Sequence, residues 1–283
     1  MFPFLIKKAF FDMWDNLFRI FTLNLGYVLI ITGTGFLLNA IPPQQIAYFG
    51  VLVLGSAALS VFTMGTVAIT NEISDYKTPE WKVFIEAVQH RWLLAIILVA
   101  INSAIFLFLL FIALPVYAQS TIGLVALGLL GWAAVFWLLA CQLFFPLVTR
   151  LGDPFGKAVR KCLMMLFDNT SFMVALFIAL NVSAPYVIGL FLLLFFGFPT
   201  RLLAFGSPLL LLPGPASTVL LLTVAFKLRL YKYDFLEKQQ QSETEPERRR
   251  LRRTRIPWDA LLAEDRELVG VRTIRGMIFP WKE

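Results

Sequence analysis

The chain has 283 residues, of which 59% are hydrophobic and 15% charged, and it carries a formal net charge of +7. Soluble domains carry about 25% charged residues. The deficit here is concentrated in three runs, Ile20–Asn71, Trp92–Thr149 and Asn169–Phe226, the last interrupted only by Arg201. A bilayer-spanning helix needs about 20 mainly apolar residues, so each run has room for two. A soluble core holding all three would leave a large apolar surface in water. Composition therefore excludes a soluble fold and predicts an all-α polytopic membrane protein.

Taken in chain order, the first 16 residues mix aromatics with charge, FPFLIKKAFFDMWDN from Phe2 to Asn16, and predict an amphipathic interfacial helix. The run after Asp12 and Asp15 is too long for a cleavable leader and ends in no A-x-A site. Spans one and two are expected over 18–40 and 46–70, separated by NAIPPQQ, where Pro42 and Pro43 cannot continue a helix. A second interfacial helix is expected at Pro79–Arg91, followed by spans over 92–117 and 121–148 with Pro115 and AQST at the turn. A third is expected at Pro154–Asn169, followed by spans over 172–197 and 203–228 with Phe198-Pro199-Thr200-Arg201 between them. The architecture predicted is six transmembrane helices in three hairpins, each hairpin preceded by an interfacial amphipathic helix whose basic stems lie at headgroup level. Residues 1–238 form that domain, 239–255 a basic polar linker, and 256–283 a C-terminal docking segment.

The second and third units align at an offset that puts His90 on Asn169 and Asn102 on Asn181; Asp15-Asn16 resembles Asp168-Asn169. A threefold repeat of helix plus hairpin is the expectation. The P-x-[DE]-x-x-[KR] signature of mitochondrial carriers is missing after every odd span, which excludes that family.

Every Lys and Arg except Arg201, out of 25, falls before span one, between spans two and three, between four and five, or after six. Cytoplasmic loops carry the basic excess, so both ends of the chain are expected in the cytoplasm. Arg248, Arg249, Arg250, Arg252, Arg253 and Arg255 lie beyond the last span, where each contributes about 1 kcal/mol near anionic headgroups. Glu243, Glu245 and Glu247 reduce that field. No aromatic-interleaved basic fold accompanies the run, so nucleic acid is not an expected partner.

An ionisable residue within the membrane marks function by default, yet no Asp or Glu falls inside a predicted span. His90 is read as an interfacial residue, and Cys141 and Cys162 as small buried hydrophobes. Phosphate-loop and nucleophile-elbow motifs are missing. The sequence thus predicts no catalytic residue, no cofactor and no metal. The intramembrane polar set is Asn24, Asn39, Asn102, Asn181 and Gln142. Such amides bridge helices, with lining of a solute path as the sharper alternative. Ser56 and Ser60 form a small-xxx-small pair expected to pack a helix closely. In SPLLLLPGPAST (Ser207–Thr218), Pro213, Gly214 and Pro215 should break span six, as a tolerated kink or, in the sharper alternative, by opening a cavity lined by Asn24, Asn102, Asn181, Gln142 and Arg201.

The final segment has a short predicted helix over Asp259–Leu268, stopped at Gly270 and bracketed by Pro-Trp pairs at Trp258 and Trp281. It is expected to anchor at the interface or to dock, either on the chain's own helices or on a cytoplasmic or membrane protein partner.

Leu23-Asn24 in an aromatic, polar first span, Thr32-Gly33-Thr34-Gly35, and the aromatic-basic Trp81–Arg91 together resemble the YesL-type family, bacterial multi-span membrane proteins with a domain-of-unknown-function label. The resemblance covers about residues 10–230. It implies an inner-membrane protein that accompanies carbohydrate uptake. A non-enzymatic accessory or scaffold is the function expected; the alternative is a small-solute facilitator using the broken sixth helix.

Overall fold

A computed structural model describes residues 2–42, 46–179, 214–242 and 256–270. Every regular element among them is helical. Helix α1 (Phe2–Asp15) is separated by Asn16 from α2 (Leu17–Asn39); α3 (Ile46–Ser74) and α4 (Trp81–Tyr117) follow. Next come α5 (Thr121–Cys141), α6 (Phe144–Leu151), α7 (Phe155–Asp168) and α8 (Thr170–Ala179). Helix α9 (Pro215–Ser242) precedes two short helices, α10 (Trp258–Leu261) and α11 (Ala263–Val269).

Four stretches are long and apolar enough to cross a membrane: α2, α3, α4, and α5 with α6; the bent pair α7–α8 raises the number to five. These match expected spans one to four. Phe18, Leu29, Ile122, Leu129 and Trp132 project outward without cover, as side chains facing lipid do. The protein is a membrane-embedded helical assembly. Most of span five and the turn at Phe198–Arg201 lie outside the described residues. Helix α9 continues the expected sixth span to Ser242, well beyond the predicted end at 228.

A separate short helix precedes the apolar one in the first and third units and not in the second. Asn16 and Asn169 each end one helix and begin the next, and the turn at Asn169 bends α7 away from α8 by 102°. Asn169 Oδ1 accepts the Phe172 backbone N–H at 3.1 Å, which caps α8. Asn competes for backbone partners and favours such breaks. The aligned residue in the second unit is His90, whose ring nitrogen pairs with the Glu86 carbonyl one turn back at 2.8 Å, and α4 runs from Trp81 through His90 into the apolar run without interruption. The expected interfacial helix at 79–91 is instead the first turns of a long span. That span changes to π-helical geometry at Leu109–Ala113, just before Pro115, whose missing N–H and bulky ring disturb the ordinary ladder.

Packing also crosses the expected hairpin boundary. Helix α3 meets α4 more extensively than it meets α2, with Gly65 against the Phe84 ring, because the link through Asp75–Glu80 is itself a tight turn. Close α2–α3 approach is made at Gly55, where a Cβ would collide with the Thr34 side chain. Ser56 and Ser60, expected to do that, face a groove, and Ser56 returns its hydroxyl to the Leu52 carbonyl at 2.8 Å. Hydroxyl pairs tie the helices deeper in: Tyr27 donates to Thr63 at 2.9 Å, and Thr70 and Thr223 share a bond of 2.8 Å between α3 and α9. Cys141 and Cys162 are free thiols in the same apolar core, as read from the sequence.

Candidate functional site

Of the polar residues expected to line one path, the three that are described, Asn24, Asn102 and Gln142, are committed to different partners. Asn24 is fully buried on α2, and its Oδ1 accepts the Ala216 N–H at 2.7 Å. It thereby caps α9 from another helix. The Gly214 carbonyl takes the first α9 bond from Ser217 at 3.0 Å, and Pro215, with no N–H to satisfy, suits the first helical position. Gly214 is required by contact: a Cβ there would lie 2.6 Å from Asn24 Cγ. Gly214-Pro215, read as a break inside a span, is thus the built start of α9. Gln142 sits where α5 gives way to α6 and donates to the Met173 carbonyl at 3.0 Å. Asn102 Oδ1 accepts Trp137 Nε1–H at 2.7 Å. Asn102 also lines an open groove of about 440 Å³ between α3 and α4, with Ser56, Ser60 and Ser103 as its other polar walls and Phe49 and Phe106 among the apolar ones. Asn181, Arg201 and Pro213 lie outside the described residues, as do Arg248, Arg249, Arg250, Arg252, Arg253, Arg255 and Trp281.

The densest ionisable chemistry lies elsewhere, at the basic end of the helices. On α1, Leu5, Lys8, Ala9 and Asp12 share one buried face at helical spacing. Lys8 was expected at headgroup level; it is instead completely buried, with Nζ 3.1 Å from Asp12 Oδ2. The turn after α3 contributes Asp75 and Tyr76, and Tyr76 takes a positive φ of 57°, a conformation that costs a side-chain-bearing residue about 1–2 kcal/mol. Its ring lies 3.7 Å below Lys8 Nζ, a cation–π contact removed from water. Helix α9 supplies Lys227, whose Nζ donates to the Ser74 carbonyl at 2.7 Å and lies 3.3 Å from Asp75 Oδ1. From α6, Arg150 grips both oxygens of Asp75, at 2.8 and 2.9 Å.

Into this cluster the C-terminal segment inserts one carboxylate. Asp265 Oδ1 lies 3.3 Å from Lys227 Nζ and 3.7 Å from Lys8 Nζ, and Tyr76 Oη donates to the Asp265 carbonyl oxygen at 3.3 Å. Leu262 and Val269, one helical turn to either side, are buried with it, and Trp258 packs at the edge of the core. Lys7 Nζ closes the far end on the Gly270 carbonyl at 3.2 Å, and Arg266 lies over the Phe4 ring. Of the two docking surfaces left open by the sequence, the described part of the segment takes the chain's own helices.

Three cations (Lys8, Arg150, Lys227) meet three carboxylates (Asp12, Asp75, Asp265), so the cluster is neutral with the segment in place. Burial lifts the Asp12 carboxyl to about 6 despite the opposing Lys8 charge. Burial also lowers Lys8, with Asp12 and Asp265 pulling the other way. For Asp75 burial acts upward, but the Arg150 hydrogen bonds and charge, with Lys227, outweigh it and hold the group below the usual carboxylate range. Burial and the Asp265 charge raise the Tyr76 phenol, so it stays a neutral donor. Sequence reasoning missed this cluster. A signal was present: Lys8, Asp12 and Asp265 each stand on the apolar face of an amphipathic helix.

Comparison with protein-family models, curated proteins and solved structures gives no match to this chain, and the YesL-type resemblance gains no support from them.

Proposed function

We propose that the protein is a non-enzymatic accessory or scaffold component of a membrane assembly, six-spanning, with both ends of the chain in the cytoplasm of a bacterial cell. Solute uptake is the assembly that the family resemblance implies, carbohydrate uptake in particular. The observation that carries the reading is the use made of buried ionisable groups. Lys8, Tyr76 and Lys227, drawn from three elements, are spent on holding residues 256–270 against the basic end of the helices. Such an arrangement organises a contact surface and offers no reacting geometry of its own. Purification from the native host in mild detergent, with mass spectrometry of what co-elutes, tests it. A stoichiometric partner is expected; a lone, monodisperse chain counts against the reading.

A second reading rests on the groove between α3 and α4. Its wall of Ser56, Ser60, Asn102 and Ser103 in otherwise apolar surroundings suits a small polar solute, and favours a facilitator. Liposome flux separates the two. Flux abolished by Asn102→Leu supports the facilitator, and no flux above empty liposomes removes it.

A further inference from the structure

The contacts that hold Asp265 differ in quality from those that hold the rest of the cluster. Charge-assisted bonds are at their strongest near 2.7–2.9 Å. Arg150–Asp75 and Lys227–Ser74 fall in that range, whereas Asp265 sits 3.3 and 3.7 Å from its two lysines. Its second oxygen, Oδ2, is buried with no hydrogen-bond partner among the described residues. Every cation of the cluster keeps another anionic partner when Asp265 is removed: Lys8 keeps Asp12, and Lys227 and Arg150 keep Asp75. The pocket left behind has two carboxylates for three cations, one positive charge in excess, over the Tyr76 ring. It is apolar on both flanks, where Leu262 and Val269 now sit. The segment itself is two helices of 4 and 7 residues, far below the length at which an isolated helix persists in water. It owes its fold to the dock.

We propose that the pocket of Lys8, Tyr76 and Lys227 is a receptor for one helix-borne carboxylate, filled in cis by Asp265, and that residues 256–270 are a releasable latch over it. The ligand class is a short helix with an acidic residue between two apolar ones on the same face, the pattern of Leu262, Asp265 and Val269. This deepens the accessory reading and rests on it for its purpose: a partner helix of that pattern takes the pocket when the latch leaves. Effective concentration favours the tethered copy, so a free peptide competes well only once the tether is cut, whereas a partner held in the same assembly competes at an effective concentration of its own.

The test uses the full chain in mild detergent, with a specific protease site placed between Ser242 and Ile256 and cleaved after purification. A fluorescent peptide of residues 256–270 is then added, and its uptake is followed by anisotropy. The expected result is exchange of peptide for the cleaved segment, weakened tenfold or more in a peptide carrying Asp265→Asn. The altered residue is in the peptide, so folding of the membrane domain is not at stake. A segment that stays bound at every peptide concentration overturns the proposal, because it is then a permanent part of the fold. Equal uptake of both peptides also overturns it, since the carboxylate is then not what is recognised. So does a segment that leaves on cleavage with no peptide rebinding. Peptide exchange in a protein that purifies alone refutes the accessory reading and leaves the receptor standing; a stoichiometric partner without exchange does the reverse.

Discussion

Asp265→Asn in the intact chain keeps the side chain's shape and removes its charge. The carboxylate and its two lysines are 3%, 0% and 7% exposed, so solvent screens neither contact. Removing one member of a buried pair costs about 3–5 kcal/mol when the other is left uncompensated. Neither lysine is left so here: Lys8 retains Asp12 at 3.1 Å, and Lys227 retains Asp75 at 3.3 Å and the Ser74 carbonyl at 2.7 Å. The loss expected is nearer that of a charged hydrogen bond, about 2 kcal/mol. It corresponds to a roughly thirtyfold rise in the population with the segment undocked. Hydrogen–deuterium exchange in micelles reads that population directly at the backbone of 258–269. Unchanged protection there refutes the view that Asp265 holds the segment. Protection lost across α1 and α9 as well would show that the charge supports the helices and not the dock.

Three further outcomes follow from the same geometry. Asp12 has a folded-state pKa of about 6 against a model-peptide value of 3.8. Between those values the folded protein binds more protons than the unfolded one, so Asp12 makes stability fall as pH rises. Asp12→Asn should flatten thermal stability between about pH 4 and 6, by up to about 1.4 kcal/mol per pH unit; Asp75, shifted the other way, acts below that window. Asn24→Ala removes the cap on Ala216 N–H and should cost about 1–2 kcal/mol, seen as a lower Tm in detergent. Gly214→Ala should cost a similar amount by pushing Asn24 out of place, and the two losses should not add, because they break one contact. Arg150 reaches both Asp75 oxygens through one nitrogen, Nη2, and Arg150→Lys exchanges that guanidinium for an ammonium on a differently shaped stem. A loss of about 1 kcal/mol is expected, read as faster exchange at Asp75 and Tyr76.

The span-forming part of the fold was legible because it depends on local composition. Charge-free runs punctuated by Pro42 and by Pro115 mark α2 to α5 without reference to anything distant. The interfacial helices were legible only by half. The aromatic-basic pattern of Trp81–Arg91 matches the other two units, but the bend depends on one residue, and His90 lacks the backbone-competing amide of Asn16 and Asn169. The ion cluster was obscured for another reason. Lys8, Asp75, Arg150, Lys227 and Asp265 come from five separate stretches, and each taken alone resembles a charge at a membrane surface. Counting cations by loop showed that they share one end of the bundle, which is what brings them within reach of each other. It could not show that they would be buried, because that requires their partners. Asn24 was visible as a polar residue in a span, but its role as the cap of α9 depends on Gly214-Pro215 arriving beside it from far along the chain.

The joining of Lys7 to Gly270, 263 residues apart in sequence, also bears on how the molecule is made. Lys8 and Asp12 are synthesised early, whereas Asp265 follows the described membrane helices. Between the synthesis of Lys227 and that of Asp265 the cluster holds one cation too many. A ribosome that stops between Lys227 and Asp265 leaves a protein whose described helices are present and whose cluster carries one positive charge in excess, shared over lysines that keep Asp12 and Asp75 as partners. Only a chain translated past Asp265 can bury Lys8 and Lys227 at full neutrality.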